Sequence, residues 1–250
     1  MSDGAVYVYG VVAAADAASV SRTGVEGSPV RGVCEGDLAA LVSDVAGGAL
    51  AAAREVRAHW RVLEAVSAHA TVLPVRFGTV MEDDAAVRTD LLAANAEHLA
   101  TLLKELTGRV QLVVKGIYQQ EELLRGVVAA SPKVAALRNR IESLPEDAGY
   151  YERIRLGELV AVEVERRREQ DAARAVARLE PLAVAARSEG LGTPDAAFNL
   201  AFLVERERLD EFSAAVTALI DELGDRVAVR YVGPLAPYSF ADAELAAEAA

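Results

Sequence analysis

Two strand-like segments of this chain are each broken from within by proline and glycine. The first is Thr71-Val72-Leu73-Pro74-Val75-Arg76-Phe77-Gly78-Thr79-Val80, and the second is Arg230-Tyr231-Val232-Gly233-Pro234-Leu235-Ala236-Pro237-Tyr238-Ser239-Phe240. Proline fixes φ and removes a backbone donor, so Pro234 and Pro237 stop the second segment from continuing as a central strand. The expected course is an extended run across a surface, with Tyr238 and Phe240 docked in an apolar crevice. Each side chain contributes about 1.5–3 kcal/mol if fully buried. The docking surface belongs either to the chain itself or to a partner. Arg76 stands where the first segment leaves its sheet. It is expected either to bury its guanidinium against a carboxylate or loop carbonyls, or to work with Phe77 as an interface residue.

The remaining pattern alternates strands with helices. Ala5 to Val12 reads as a buried strand, Ala13 to Pro29 as a loop, and Val30–Glu35 with Leu38–Val45 as a hairpin across Gly36-Asp37. A helix from about Ala51 to Ala68 carries Val56, Trp60, Leu63 and Val66 or Ser67 on its apolar stripe. A second, capped by Asp83 or Asp84, carries Leu92, Ala96, Leu99, Leu102 or Leu103, and Leu106. The second half reads as a strand from Arg109 to Tyr118 and a helical stretch interrupted at Ser131-Pro132. A long helix follows from Tyr150 to Ser188, bent near Pro181, then a strand over Phe198–Val204 and a helix with Leu209, Phe212, Val216, Leu219, Ile220 and Leu223. The last strand carries Val227, Val229 and Tyr231. One further short strand is expected near Gly190 to Thr193. The fold class is therefore α+β in two domains: residues 1–107, residues 108–234 with a ferredoxin-like core and a long helix, and an extended tail over 235–250.

The order of Tyr7-Val8-Tyr9-Gly10, the helix with His59 and Leu63, Val72 to Gly78, Gly149-Tyr150-Tyr151, Asn199 to Val204 and Gly233 to Phe240 resembles the gas vesicle protein F/L family. Relatives often carry a second proline and an aromatic where this chain has Ala236 and Leu235, and Glu at the place of Gln111. The resemblance implies an assembly factor that contacts the hydrophobic shell subunit and other accessory proteins, or a minor structural component on the vesicle wall. It implies a location in the cytoplasm with gas vesicles, and no catalytic activity. Arg76, Phe77, Tyr238 and Phe240 are the candidate partner-binding or interdomain residues.

The residues themselves point to little chemistry. His59 and His69 lie ten residues apart, which is not a metal-ligand spacing, and Glu55 shares a helix face with His59. No phosphate-binding loop, nucleophile elbow or zinc-protease motif occurs, so no cofactor, metal or catalytic residue is expected, and an enzyme or ligand sensor is the least supported reading. The net charge of −12 argues against nucleic acid and anionic membranes as partners, with Arg166-Arg167-Arg168 as the one candidate basic patch. That run lies among glutamates and reads as a solvated helix face. Cys34, the sole cysteine, reads as a small core residue in a reduced compartment. The start of the chain lacks the basic stretch of a secretory signal.

Overall fold

The computed structural model describes residues 4–17, 22–46, 52–145 and 149–241. They group into two compact units, one of residues 4–111 with 233–241 and one of residues 112–232.

In the first unit, β1 (Val6–Ala13) is buried along nearly its whole length, as its run of Val and Tyr requires. It pairs antiparallel with β3 (Leu38–Asp44), which pairs in turn with β2 (Arg31–Glu35) across the two-residue turn Gly36-Asp37. Gly36 has φ +56°, the left-handed value such a turn needs. On its other side β1 meets β4 (Leu73–Pro74) and β5 (Val80–Met81). A side chain at Gly10 would lie 2.6 Å from the Leu73 carbonyl oxygen, so only glycine permits that approach.

The segment Thr71 to Phe77 pairs with β1 at Leu73 and Pro74, with one further bond from the Val75 N–H to the Tyr9 carbonyl, rather than as a full strand; Pro74 sits opposite Gly10, where the ladder does not call on its missing N–H. Cys34 is exposed, not buried, because β2 is an edge strand in which Val33 is the buried residue.

A short helix, α1 (Ala14–Ala17), follows β1 where a loop was expected, and two longer helical segments complete the unit. In α2 (Ala53–Ser67) the buried face is Glu55, His59, Val62, Leu63, Val66 and Ser67. Trp60 lies 41% exposed, so the face is turned by about one residue from the stripe expected through Val56 and Trp60. Asp83 caps the next helical segment, its Oδ1 accepting from the Ala86 N–H. That segment runs from α3 (Asp84–Ala86) through a π-type turn, Val87–Ala93, into α4 (Ala96–Leu106). Asn95 marks the break, its amide donating to the freed carbonyls of Asp90 and Leu91. Arg31 clamps the start of this segment to the sheet through both oxygens of Asp84 and through Asp44.

The second sheet has the order β7-β8-β6-β9. Its strands are β6 (Arg109–Tyr118), β7 (Ala185–Ser188), β8 (Ala196–Glu205) and β9 (Val227–Leu235). Between β6 and β7 run α5 (Gln120–Ala130), α6 (Pro132–Glu142) and α7 (Tyr150–Leu179); α8 (Leu209–Leu223) lies between β8 and β9. Pro132 takes the first position of α6, where its missing N–H costs nothing.

Two expectations about the long helix need correction. Pro181 does not bend it: α7 stops at Leu179, and a short 3-10 turn holds the proline. The hidden strand is Ala185–Ser188, antiparallel to β8, rather than residues near Gly190 to Thr193. The core of this unit joins Leu112, Val114, Phe198, Leu200, Phe202 and Val204 of the sheet to Ala175 and Leu179 of α7 and to Phe212, Val216, Leu219 and Leu223 of α8. Ile220 lies at the edge of that face, 40% exposed.

Candidate functional site

β1 places Tyr7 and Tyr9 on the face that α2 covers, and α2 inserts His59 between them and the returning C-terminal segment. The Tyr7 hydroxyl lies 2.8 Å from His59 Nδ1 and also accepts the Gly78 N–H at 3.1 Å. His59 Nε2 is hydrogen-bonded to the Tyr238 hydroxyl. A neutral imidazole has one donor and one acceptor nitrogen, and here a phenol serves each. Tyr9 completes a neighbouring network, donating to Ser43 Oγ at 2.9 Å and accepting the Val25 N–H at 2.7 Å.

Burial sets the protonation states. His59 is fully buried, and desolvation pushes its pKa down to about 4, so the ring is neutral at physiological pH. Burial also raises the Tyr7, Tyr9 and Tyr238 hydroxyls above the usual phenol range, so all three stay protonated. Glu55, one turn before His59, does not pair with it. Its carboxylate accepts the Glu26 N–H at 2.9 Å and binds Arg54, which together hold its pKa below the usual value. A neutral ring with both nitrogens engaged and no carboxylate orienting it is suited to hold a segment in place, not to activate a nucleophile. Among the described residues no group of three His, Cys, Asp or Glu side chains could hold a metal ion.

The four expected residues divide. Tyr238 docks on its own chain, its ring centroid 4.6 Å from that of Trp60, while Ala236 enters the core of the first unit. Phe240 is buried, and the Ser239 N–H between them donates to the side chain of Gln111 at 2.8 Å. Phe77 packs on the same cluster, 5.6 Å from the His59 ring. Arg76 does not bury its fork. It is exposed and makes no ion pair among the described residues, and only its carbonyl fixes the turn, accepting from Thr79 N and Oγ1. Arg76→Ala is therefore expected to change stability by less than about 0.5 kcal/mol in a thermal unfolding measurement.

Residues 236–241 are not extended as expected but close into a turn, in which the Pro237 carbonyl accepts from the Phe240 and Ala241 N–H groups, while residues 242–250 lie outside the described region. His59 and Gln111, both noted in the sequence, were not among the candidate site residues. For His59 the signal was a polar residue on the apolar face of a regular helix; Gln111 lies on the half-exposed face of β6 and carried none.

Residues 5–242 match the family of gas vesicle synthesis proteins GvpL/GvpF. The chain belongs to this family. It is 34% identical over 241 residues to gas vesicle protein F of Streptomyces sp. (strain CB03234), covering 94% of this chain and 99% of that protein. Gas vesicle protein L of the same organism is 32% identical over 260 residues, covering 94% of this chain and 92% of that one. The crystal structure of GvpF from Anabaena sp. PCC7120 superposes with a TM-score of 0.82 at 27% identity, covering 96% of this chain and 98% of that one. An accessory role connected with gas vesicles follows from this membership. No helix of the described residues is long and apolar enough to cross a membrane.

Proposed function

We propose that the chain is a gas vesicle assembly factor, working in the cytoplasm, that binds the hydrophobic shell subunit and other accessory proteins while the vesicle forms. On this reading the second unit is a ferredoxin-like domain, supported by its strand–helix–strand–strand–helix–strand order and the sheet order β7-β8-β6-β9. The reading assigns it no reaction.

The observation that carries the binding role is an apolar cluster at the start of α7. Tyr150 is 63% exposed, Tyr151 81% and Ile154 46%, with the two tyrosine rings 5.5 Å apart. Large side chains grouped in water on one helix end suit capture of an apolar partner. Arg76 is exposed beside the half-buried Phe77 and can take part in a second contact.

Co-purification of tagged chain with the small shell protein tests the proposal. The wild type is expected to retain the shell protein, and the combined Tyr150→Ser, Tyr151→Ser and Ile154→Ser variant to lose it. Equal retention would move the interface away from α7, and no retention by folded wild-type chain would overturn direct shell binding. Deleting residues from Gly233 onward is a poor substitute, because it strips Ala236 and Tyr238 from the core of the first unit.

A further inference from the structure

A cavity of about 460 Å³ in the second unit is lined by Arg166, Arg167, Arg174 and Arg226, with Asp171 and Glu222 as the facing carboxylates. Four cations against two anions make it locally basic in a chain whose net charge is −12. Most of that charge is already matched. Asp171 binds Arg174 and Arg226, Glu222 binds Arg174 and Arg178, and Arg166 pairs along its helix with Glu163.

Arg167 differs. Among the described residues it has no carboxylate partner; its Nη2 donates to the Gly126 carbonyl at 2.6 Å, and its Nε is buried with no hydrogen-bond partner. The seat for this guanidinium is built into α5. A side chain at Gly126 would lie 3.0 Å from Arg167 Nη1 and 3.6 Å from Cζ, so a residue poorly suited to a helix interior makes the room. A guanidinium anchored through Nη2, with its buried Nε out of a ligand's reach and no counter-charge beside it, keeps its Nη1 hydrogens for an oxyanion. The exposed Arg166–Glu163 pair holds little energy, so Arg166 is available to join it. The volume lies in the range of small-molecule sites and exceeds the needs of a lone inorganic ion.

We propose that this cavity binds a small multivalent oxyanion, carried on phosphate or carboxylate groups, with Arg167 as its principal cation. The inference does not depend on shell binding.

Calorimetric titration of the full chain at low salt, with pyrophosphate and separately with citrate, tests it. Saturable binding that weakens as salt rises is expected. Arg167→Gln is expected to weaken binding about tenfold or more. Lys133→Gln, which removes one exposed charge outside the cavity, is expected to leave binding unchanged. Should Arg167→Gln fail to fold, Gly126→Ala carries the test, since it displaces the guanidinium while keeping every charge. Binding of pyrophosphate alone would identify a phosphate ligand, and binding of both probes a polycarboxylate-tolerant site; either supports the proposal. No saturable heat from either probe, or equal losses in the Arg167 and Lys133 variants, overturns it.

Discussion

His59→Ala is expected to destabilise the first unit by about 3–5 kcal/mol, through the cavity left by a buried ring and the stranded phenols of Tyr7 and Tyr238. That is a large share of the roughly 5–15 kcal/mol that holds a domain folded. His59→Phe fills the site with a slightly larger ring and should cost less, about 1–3 kcal/mol, through the lost hydrogen bonds and mild overpacking. Combining His59→Phe with Tyr238→Phe removes both ends of one bond and should recover part of that loss. Urea unfolding of the three variants decides the matter, and a His59→Phe protein as stable as wild type would show that the hydrogen-bonded chain contributes nothing.

The same residue sets an acid limb. Folded His59 has a pKa of about 4 against an ordinary value of 6.5, so between these the unfolded chain binds the extra proton. Stability is complete above the upper value and falls as pH is lowered through the window, by on the order of 3 kcal/mol in all. Glu55, whose pKa is lowered on folding, adds its own loss only at more acid pH. A slope between about pH 6.5 and 5 that is present in wild type and absent in His59→Phe is the expected signature. His69 and His98 are both exposed, which leaves His59 as the buried histidine of the chain.

Why this centre was hard to read lies in α2 itself. Apolar periodicity selects Val56, Trp60 and Leu63, but the sheet-facing positions include Glu55 and His59, whose polarity a periodicity rule discards. Trp60 lies off the sheet-facing stripe and packs instead on Tyr238, a residue 178 positions further along. Where polar core residues are missing, the pattern sufficed: Phe212, Val216, Leu219 and Leu223 of α8 are buried as their spacing requires, and the Gly36-Asp37 hairpin falls where turn chemistry puts it. β7 was displaced for the opposite reason. Ala185, Ala186, Arg187 and Ser188 have little strand preference, and pairing with β8 alone makes them a strand. Tail docking was legible from two aromatics behind two prolines. Its polar partner, Gln111, lies 128 residues from Ser239, and only the fold brings them together.

In the second unit, Asp171 is expected to matter as much as His59 does in the first. It occupies a charged stretch of α7 and looks in sequence like one more solvated acid, yet its side chain is only 5% exposed. Oδ2 accepts from the buried Tyr118 hydroxyl at 3.0 Å, while Oδ1 takes Arg226 at 2.7 Å and Arg174 at 3.1 Å. One carboxylate thus ties the end of β6 to α7 and to the residue just before β9. Arg226 is thereby spent on Asp171 and on the Leu223 carbonyl, although it stands just before an edge strand.

Asp171→Ala strands the phenol and leaves Arg226 facing a gap, which places the cost near 3 kcal/mol, the low end for a broken buried pair. The low end applies because the Arg226 side chain is 28% exposed and can turn to water, and because Arg174 keeps Glu222. Asp171→Asn retains an acceptor for Tyr118 and should cost on the order of 1–2 kcal/mol. Because the carboxylate is buried, adding salt should not equalise wild type and Asp171→Ala, whereas an exposed pair would be screened. Equal urea midpoints for wild type and Asp171→Ala would mean that hydrophobic packing of α7 against β8 and α8 holds this unit without the ion cluster.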